Sequence, residues 1–338
     1  MSSTAATPAS HANWFDHLRL LLAALVLLSH SSELVDGDRH REILTRIFGT
    51  CTFGEAAVIG FLILSGHLIT KAWLRAPSPA TYLKNRVLRI VPAYLVAFAI
   101  SVFAVGAVCA ADAAQYLGAL DWRQLAIQAA TLGQPTTPPT FAGQPYPIVN
   151  GSLWTIQLEF FCYLLAPFAC ARRWSVILFW LVAAAGTEFT SSVYARGVLA
   201  FMSGAAYTRL GFSWNGRIGW ICAAVLPASL FFEHAWAMGL ATAGAYLMLG
   251  LASRRATFSL RADISYGTYL YGWPVQNLLI HEGLRSPVLL FGASLVIAGA
   301  LGAASWYGLE RYALRLKGPG AKRAVSSDAL APTMWRRR

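Results

Sequence analysis

Asp16-His17-Leu18-Arg19, then ten residues of Leu, Ala, Val and Ser, then His30: the reading of this chain turns on that stretch. Its middle, Leu20 to Ser29, is Leu-Leu-Leu-Ala-Ala-Leu-Val-Leu-Leu-Ser, apolar on nearly every side of a helix. In α-helical geometry the step from Arg19 to His30 is about three full turns, so both side chains face the same way, ~16 Å apart along the axis. A cation and an imidazole on one face of an apolar span are costly unless they line a protein cavity, which makes the pair a candidate functional site. The same pair is equally compatible with an interfacial arginine reaching lipid headgroups and a histidine near the other surface.

The composition agrees with a membrane setting. Hydrophobic residues make up 57% of the 338 and charged ones 12%, against ~25% charged in a soluble domain. Repeated apolar runs near the ~20 residues of a bilayer crossing point to an all-α, polytopic membrane helical bundle. Ten candidate spans fall near Leu18–Ser32, Gly54–Trp73, Ile90–Ala110, Ser152–Ala171, Trp174–Thr187, Tyr194–Leu210, Ile218–Phe232, Trp236–Leu251, Ile264–Ile280 and Pro287–Tyr307. They compose one membrane domain over residues 14–316. A tail of residues 1–13 precedes it, without the basic cluster of a cleavable signal peptide, and a basic tail of residues 317–338 follows. The one long non-apolar connection, 111–151, is rich in Pro, Thr, Gly and Gln, with a short helical piece expected around Asp121–Leu132. Cys51, Cys109, Cys162, Cys170 and Cys222 lack a CxxC spacing and mostly fall in apolar runs, so they read as core residues, with no disulfide framework or metal site.

Charge orients the spans. Lys71, Arg75, Lys84, Arg86, Arg89, Arg172, Arg173, Arg209, Arg217, Arg254, Arg255 and Arg261 lie in alternate connections, and the tail adds Arg311, Arg315, Lys317, Lys322, Arg323 and Arg336 to Arg338. The opposite connections hold only Arg39, Arg41, Arg46, Arg123, Arg196 and Arg285, with most of the acids. By the positive-inside rule both termini are expected to be cytoplasmic. The net charge of +12 is therefore a topology signal, and no nucleic-acid partner is expected. Arg19 would lie at the cytoplasmic end of the first span, His30 towards the outer end, and the 111–151 loop would face outward, where a lid or acceptor-binding loop would sit.

Further constellations carry chemistry. Arg86 and Arg89 share a helix face and can clamp a phosphate together; an ordinary positive-inside anchor would look the same. Pro92, in the first turns of the expected span, sits where a missing amide costs least. Glu159 stands about two turns into an apolar run with Tyr163 one turn further on its face. An acid at that depth calls for a cationic or imidazole partner, His30 among the candidates, or else holds helices together as a structural ion pair. Gly66 would allow close helix approach, and Ser65 could bond across helices. As a nucleophile Ser65 is disfavoured, because His67 at i+2 does not face it. The Tyr-rich run Ser265 to Pro274 suggests a kinked helix lining a cavity, or an interfacial aromatic cluster.

In this order the motifs resemble the integral-membrane acyltransferase family 3, the bacterial surface-glycan O-acyltransferases. Asp16-His-Leu-Arg19 with His30 is similar to D-G-L-R with a histidine eleven residues beyond the arginine. Phe61-Leu-Ile-Leu-Ser65-Gly66 resembles F-F-x-L-S-G, and Arg86-Val-Leu-Arg89-Ile-Val-Pro92-Ala-Tyr94 resembles R-x-x-R-I-x-P-x-Y. Ser152-Leu-Trp154-Thr155 through Glu159 and Tyr163 resembles S-L-W-S-L-x-x-E-x-x-x-Y. Ser265-Tyr266 through Tyr269, Tyr271 and Pro274 resembles S-Y-x-x-Y-L-x-H-x-P, and Glu310-Arg311 the closing E-R. The departures are His17 for Gly, His67 for an aromatic, Thr155 for Ser, Tyr312 for Pro and Gly272 for His.

The resemblance implies a multi-pass protein of the bacterial inner membrane. Acetyl-CoA or another acyl-CoA would serve as donor co-substrate, with no permanently bound cofactor, and a hydroxyl of a polysaccharide or lipid-linked oligosaccharide as acceptor. Arg86, Arg89 and Arg19, with Tyr94, are expected to hold the donor. His30 would act as general base, or else carry the acyl group covalently, and Glu159 would orient or charge-balance it. Trp154, Ser65, Tyr163 and Tyr269 are expected on the substrate side. Two other readings are a small-molecule acceptor such as a macrolide, and an ion- or anion-coupled transporter. The internal repeats that many transporters show are not visible in this sequence.

Overall fold

The computed structural model describes residues 14–141, 143–190, 192–254 and 262–317. The two expected tails, except Lys317, and the basic residues Arg255 and Arg261 lie outside them. The described residues are helical, with no strand among them. The helices are α1 (Phe15–Asp36), α2 (Ile43–Phe48), α3 (Phe53–Arg75), α4 (Pro79–Cys109), α5 (Ala113–Gly118), α6 (Trp122–Ala130) and α7 (Trp154–Ala169), followed by α8 (Arg173–Phe189), α9 (Val193–Leu210), α10 (Gly216–Ser229), α11 (Trp236–Ala252), α12 (Ser265–His281) and α13 (Pro287–Arg315). Each of the ten apolar stretches coincides with one of the longer helices. Four of these, α1, α3, α4 and α13, are long and apolar enough to cross a membrane.

Local chemistry sets the ends. Left-handed Gly37 terminates α1, its amide returning to the Glu33 carbonyl. A reciprocal cap starts α3: Thr52 Oγ1 accepts from the Glu55 amide at 3.1 Å, and the Glu55 carboxylate accepts from the Thr52 amide at 3.0 Å. Ser78 caps α4, with Pro79 in its first turn. That early start corrects one expectation: Pro92 lies inside a helix already more than three turns long, not in its first turns. Helix α4 also passes through a π-helical segment, Ile100–Val105, as do α11 and α13.

Helix α1 is held between α3 and α12, and α3 packs most extensively on α9. The α3–α9 crossing is a backbone contact between two glycines. A Cβ at Gly66 would collide with the Phe201 carbonyl oxygen, and one at Gly204 with that of Ile63. The close approach expected of Gly66 is therefore real, and α9 is its partner.

The long connection is not a free flap. After α6 it runs into the bundle, where Thr140, Phe141, Val149, Asn150 and Leu153 are buried. Asn150 Nδ2 donates to Ser101 Oγ and to the Leu270 carbonyl, both at 3.0 Å, joining α4 to α12 through the loop. The indole of Trp273 and the amide of Asn277 both donate to the Ile148 carbonyl.

Candidate active site

Three cavities follow one another through the bundle, and α1 borders all of them. The first, about 370 Å³, is lined by Arg19, Lys71, Arg75, Arg86, Arg89 and Lys317, with Asp263 its single carboxylate. The second is a throat of about 70 Å³ between Arg19, Arg89, Glu159, Tyr163, Tyr266 and Tyr269. The third, about 390 Å³, holds His30 with Glu33, Arg39, Glu55, Trp154, Arg196 and Trp273. Arg19, Arg89 and Tyr163 belong to the first and second, Val58 and Tyr269 to the second and third, so neighbouring cavities share walls. The eleven-residue step read from the sequence thus separates a residue of the basic cavity from one of the far cavity.

In the basic cavity Asp263, just before α12, gathers two arginines. Its Oδ2 accepts from Arg19 Nη1 at 3.3 Å and from Arg89 Nη2, while its Oδ1 accepts from Ser265 Oγ at 2.6 Å. Burial pushes the Asp263 carboxyl up, but Arg89 and Arg19 outweigh it and hold the group well below the usual carboxylate range. Arg86 is placed differently. Its guanidinium stands over the Tyr163 ring, 6.0 Å from the centroid, and its buried Nε has no hydrogen-bond partner. Burial, reinforced by the charges of Arg86 and Arg89, pushes the Lys317 ammonium down to about 7. Such a concentration of cations suits a ligand with several negative charges.

In the far cavity His30 Nδ1 lies 3.3 Å from Glu33 Oε2, one helical turn along α1. The other oxygen of Glu33 accepts from the Tyr146 hydroxyl at 3.1 Å and sits 3.5 Å from Arg39 Nε. Arg39 also reaches Glu55 at 3.6 Å. The Trp273 ring packs edge-on against His30, with centroids 4.8 Å apart. A carboxylate only accepts, so a hydrogen bond in this contact uses the proton on Nδ1 and leaves Nε2 free of Glu33.

Two expectations are corrected here. Glu159 is not the partner of His30: its Oε1 accepts from Ser65 Oγ at 3.0 Å and from the Tyr163 hydroxyl at 2.6 Å, a cluster beside the throat. Glu159 has side-chain partners on α3 and its own helix, so the imidazole takes the acid beside it in sequence. Tyr94 does not join Arg86 and Arg89. It is fully buried, and its hydroxyl donates to the Gly133 carbonyl at 2.6 Å and to that of Gln128 at 3.1 Å, pinning the loop to α4. At five residues from Arg89 it has turned well away from the arginine face.

Of the other expected residues, Arg19 and Arg89 meet at Asp263 and Ser65 lines the basic cavity. Tyr163 borders both the basic cavity and the throat. Tyr269 joins the throat to the far cavity, its hydroxyl 2.7 Å from Thr155 Oγ1, and Trp154 lines the far cavity. His67 is bonded to Thr208 at 2.7 Å and stacked on Phe15, away from any nucleophilic role with Ser65. Gly272 packs against Leu27 of α1, and a Cβ there would lie 2.5 Å from a Leu27 methyl. Residues that the sequence reading missed are Glu33, Arg39, Tyr146, Arg196, Asp263 and Trp273. Glu33 had a signal, the one-turn spacing from His30; Asp263 lies in a connection read only for its basic residues.

Comparisons with known proteins identify the family. The family profile described as an acyltransferase domain matches residues 12–307. This chain belongs to acyltransferase family 3. It is 28% identical over 334 residues to the O-acetyl transferase of Shigella phage Sf6, covering 91% of this chain and 97% of that protein. It is 27% identical over 358 residues to Nodulation protein 10 of Rhizobium leguminosarum bv. viciae, covering 91% and 94%. No solved structure gives a significant match. The protein is accordingly an acyltransferase of the membrane.

Proposed function

We propose that this acyltransferase takes an acyl group, acetyl in the first instance, from cytoplasmic acyl-coenzyme A and passes it to a hydroxyl of a polysaccharide or lipid-linked oligosaccharide beyond the bacterial inner membrane. The observation that carries the reading is the order of the cavities along α1: excess cations at one end, a narrow throat, then an imidazole backed by a carboxylate. In this reading the ten longer helices cross the bilayer, both termini are cytoplasmic, and the basic cavity opens to the cytoplasm.

Arg86, Arg89, Arg19 and Lys317 would hold the nucleotide phosphates, Arg86 with its unpaired Nε foremost. The pantetheine arm, on the order of the ~16 Å separating Arg19 from His30, would run through the throat. At the far cavity His30 Nε2 takes the proton of the acceptor hydroxyl while its oxygen attacks the thioester carbonyl. Collapse of the tetrahedral intermediate expels the coenzyme thiolate, which receives the proton back from the imidazolium. Glu33 keeps the imidazole in the required tautomer and stabilises its charged form. The name of the phage relative supports O-acetyl transfer.

The test uses purified protein in lipid, labelled acetyl-CoA and a crude surface-glycan acceptor. Wild type should bind donor and turn it over. His30→Ala should bind donor and transfer at least a hundredfold more slowly, and Arg86→Ala should bind donor weakly. A His30→Ala protein with wild-type transfer would overturn the base assignment. Absence of donor binding in the wild type would overturn the acyl-CoA reading itself.

A further inference from the structure

The far cavity holds four charged side chains besides His30, and they are unevenly paired. Arg39 lies between Glu33 and Glu55, at 3.5 and 3.6 Å. Arg196 has no carboxylate partner among the described residues. What holds it is Trp236, whose ring centroid lies 4.9 Å from the guanidinium carbon. That ring is itself 2% exposed, so the arginine covers a buried surface of the bundle. Val193, Arg196 and Gly197, at the i, i+3 and i+4 positions of α9, all line the cavity. Gly197 fixes which way this face points, because a Cβ there would press on Leu158 of α7 and Leu62 of α3. Arg196 is half-buried and lines the cavity, as do Trp154 and Trp236. The aromatic face attracts the guanidinium and leaves its in-plane N–H donors available, the fork that matches carboxylate and phosphate oxygens.

We infer that the acceptor carries a negative group, a carboxylate or a phosphate, which Arg196 seats so that a neighbouring hydroxyl meets His30. The inference rests on the far cavity being the acceptor site. It makes Arg196 a specificity-determining residue, distinct from the donor's phosphate-binding cations at the other end of the row. Neutral glycans would leave this half-buried cation without a counter-charge and would bind less well.

The experiment uses the full-length protein in lipid, labelled acetyl-CoA, and surface glycan separated by charge into neutral and acidic pools. The expected result is label in the acidic pool. Arg196→Gln should raise KM for that pool at least tenfold, with the effect on KM and not kcat, and donor affinity should remain that of wild type. Arg196→Lys should recover part of the loss. Carbodiimide-mediated reduction of uronic carboxyls, or mild acid cleavage of glycosyl pyrophosphates, applied to the acidic pool separates the two sources: whichever treatment abolishes labelling names the group. Label entering the neutral pool equally well, or an Arg196→Gln protein with unchanged KM, overturns the inference while leaving the transfer reaction intact. If wild type binds donor but labels neither pool, the acceptor-site reading falls and the Arg196 assignment falls with it.

Discussion

At one end of the row of cavities six cations, Arg19, Lys71, Arg75, Arg86, Arg89 and Lys317, surround a single carboxylate, Asp263. At the other end Arg39 and Arg196 share the space with Glu33 and Glu55, among Trp154, Trp273 and Tyr146. The lining of the first is dominated by cations, and that of the second carries equal numbers of arginines and glutamates, with aromatic rings and His30. A surplus of one sign holds ligands by charge and is sensitive to salt. A balanced, aromatic cavity orients a ligand by shape and by individual hydrogen bonds. In the proposed function binding and chemistry lie at different ends of one helix, and they should come apart under mutation.

The sharpest break is at the Asp263 junction. Arg89→Ala leaves a half-buried carboxylate with a single arginine, and loss of such a charged hydrogen-bond partner costs about 1.5–3 kcal/mol. Thermal unfolding in lipid or detergent should show it, and Arg89→Ala/Asp263→Ala should regain most of the stability without regaining donor binding. A double variant no more stable than the single would show that Arg89 is not held by that ion pair.

At the far end, Glu33→Gln should lower kcat about a hundredfold with donor affinity unchanged, whereas Glu159→Gln should remain within about tenfold of wild type. The reverse order would return Glu159 to the side of His30 and undo the division drawn here. Between the ends, Gly204→Ala forces a methyl onto the Ile63 carbonyl and should cost about 1–3 kcal/mol of stability. An unaltered melting temperature would show that the α3–α9 crossing can relax.

The smallest effect concerns pH. Lys317, pushed down to about 7, is charged below that pH and neutral above it. A polyanion favours the charged form, so affinity for coenzyme A should fall by a few-fold as pH rises from about 6 to 8.5, and Lys317→Gln should remove that part of the dependence. The stability sign is opposite. The folded pKa lies below the unfolded one, so the cost of holding the charge is fully present below pH 7 and is relieved as pH rises further. A pH-independent difference between wild type and Lys317→Gln would place Lys317 outside the binding field.

The ten longer helices were legible because apolar runs of that length leave few alternatives to helix. The basic cavity was legible in part, since Arg86 and Arg89 recur at i+3, but its carboxylate was not. Asp263 comes from a distant connection, and only tertiary folding brings it to Arg19 and Arg89. The partner of His30 shows the opposite failure. An acid deep in an apolar run, Glu159, drew the assignment because its burial calls for a partner, yet two hydroxyls meet that need. Glu33 was the simpler answer, one turn away. Tyr94 was misassigned by its nearness in sequence to Arg89, although a helix turns neighbours five residues apart to different faces.

Leu27 and Gly272 tie the choice of residue on α12 to the packing of α1. A Cβ at 272 would lie 2.5 Å from a Leu27 methyl, so any larger side chain there requires that leucine, 1% exposed between Arg19 and His30, to shift. A bulky residue at 272 is therefore best accommodated with a smaller one at 27, and the two positions are coupled.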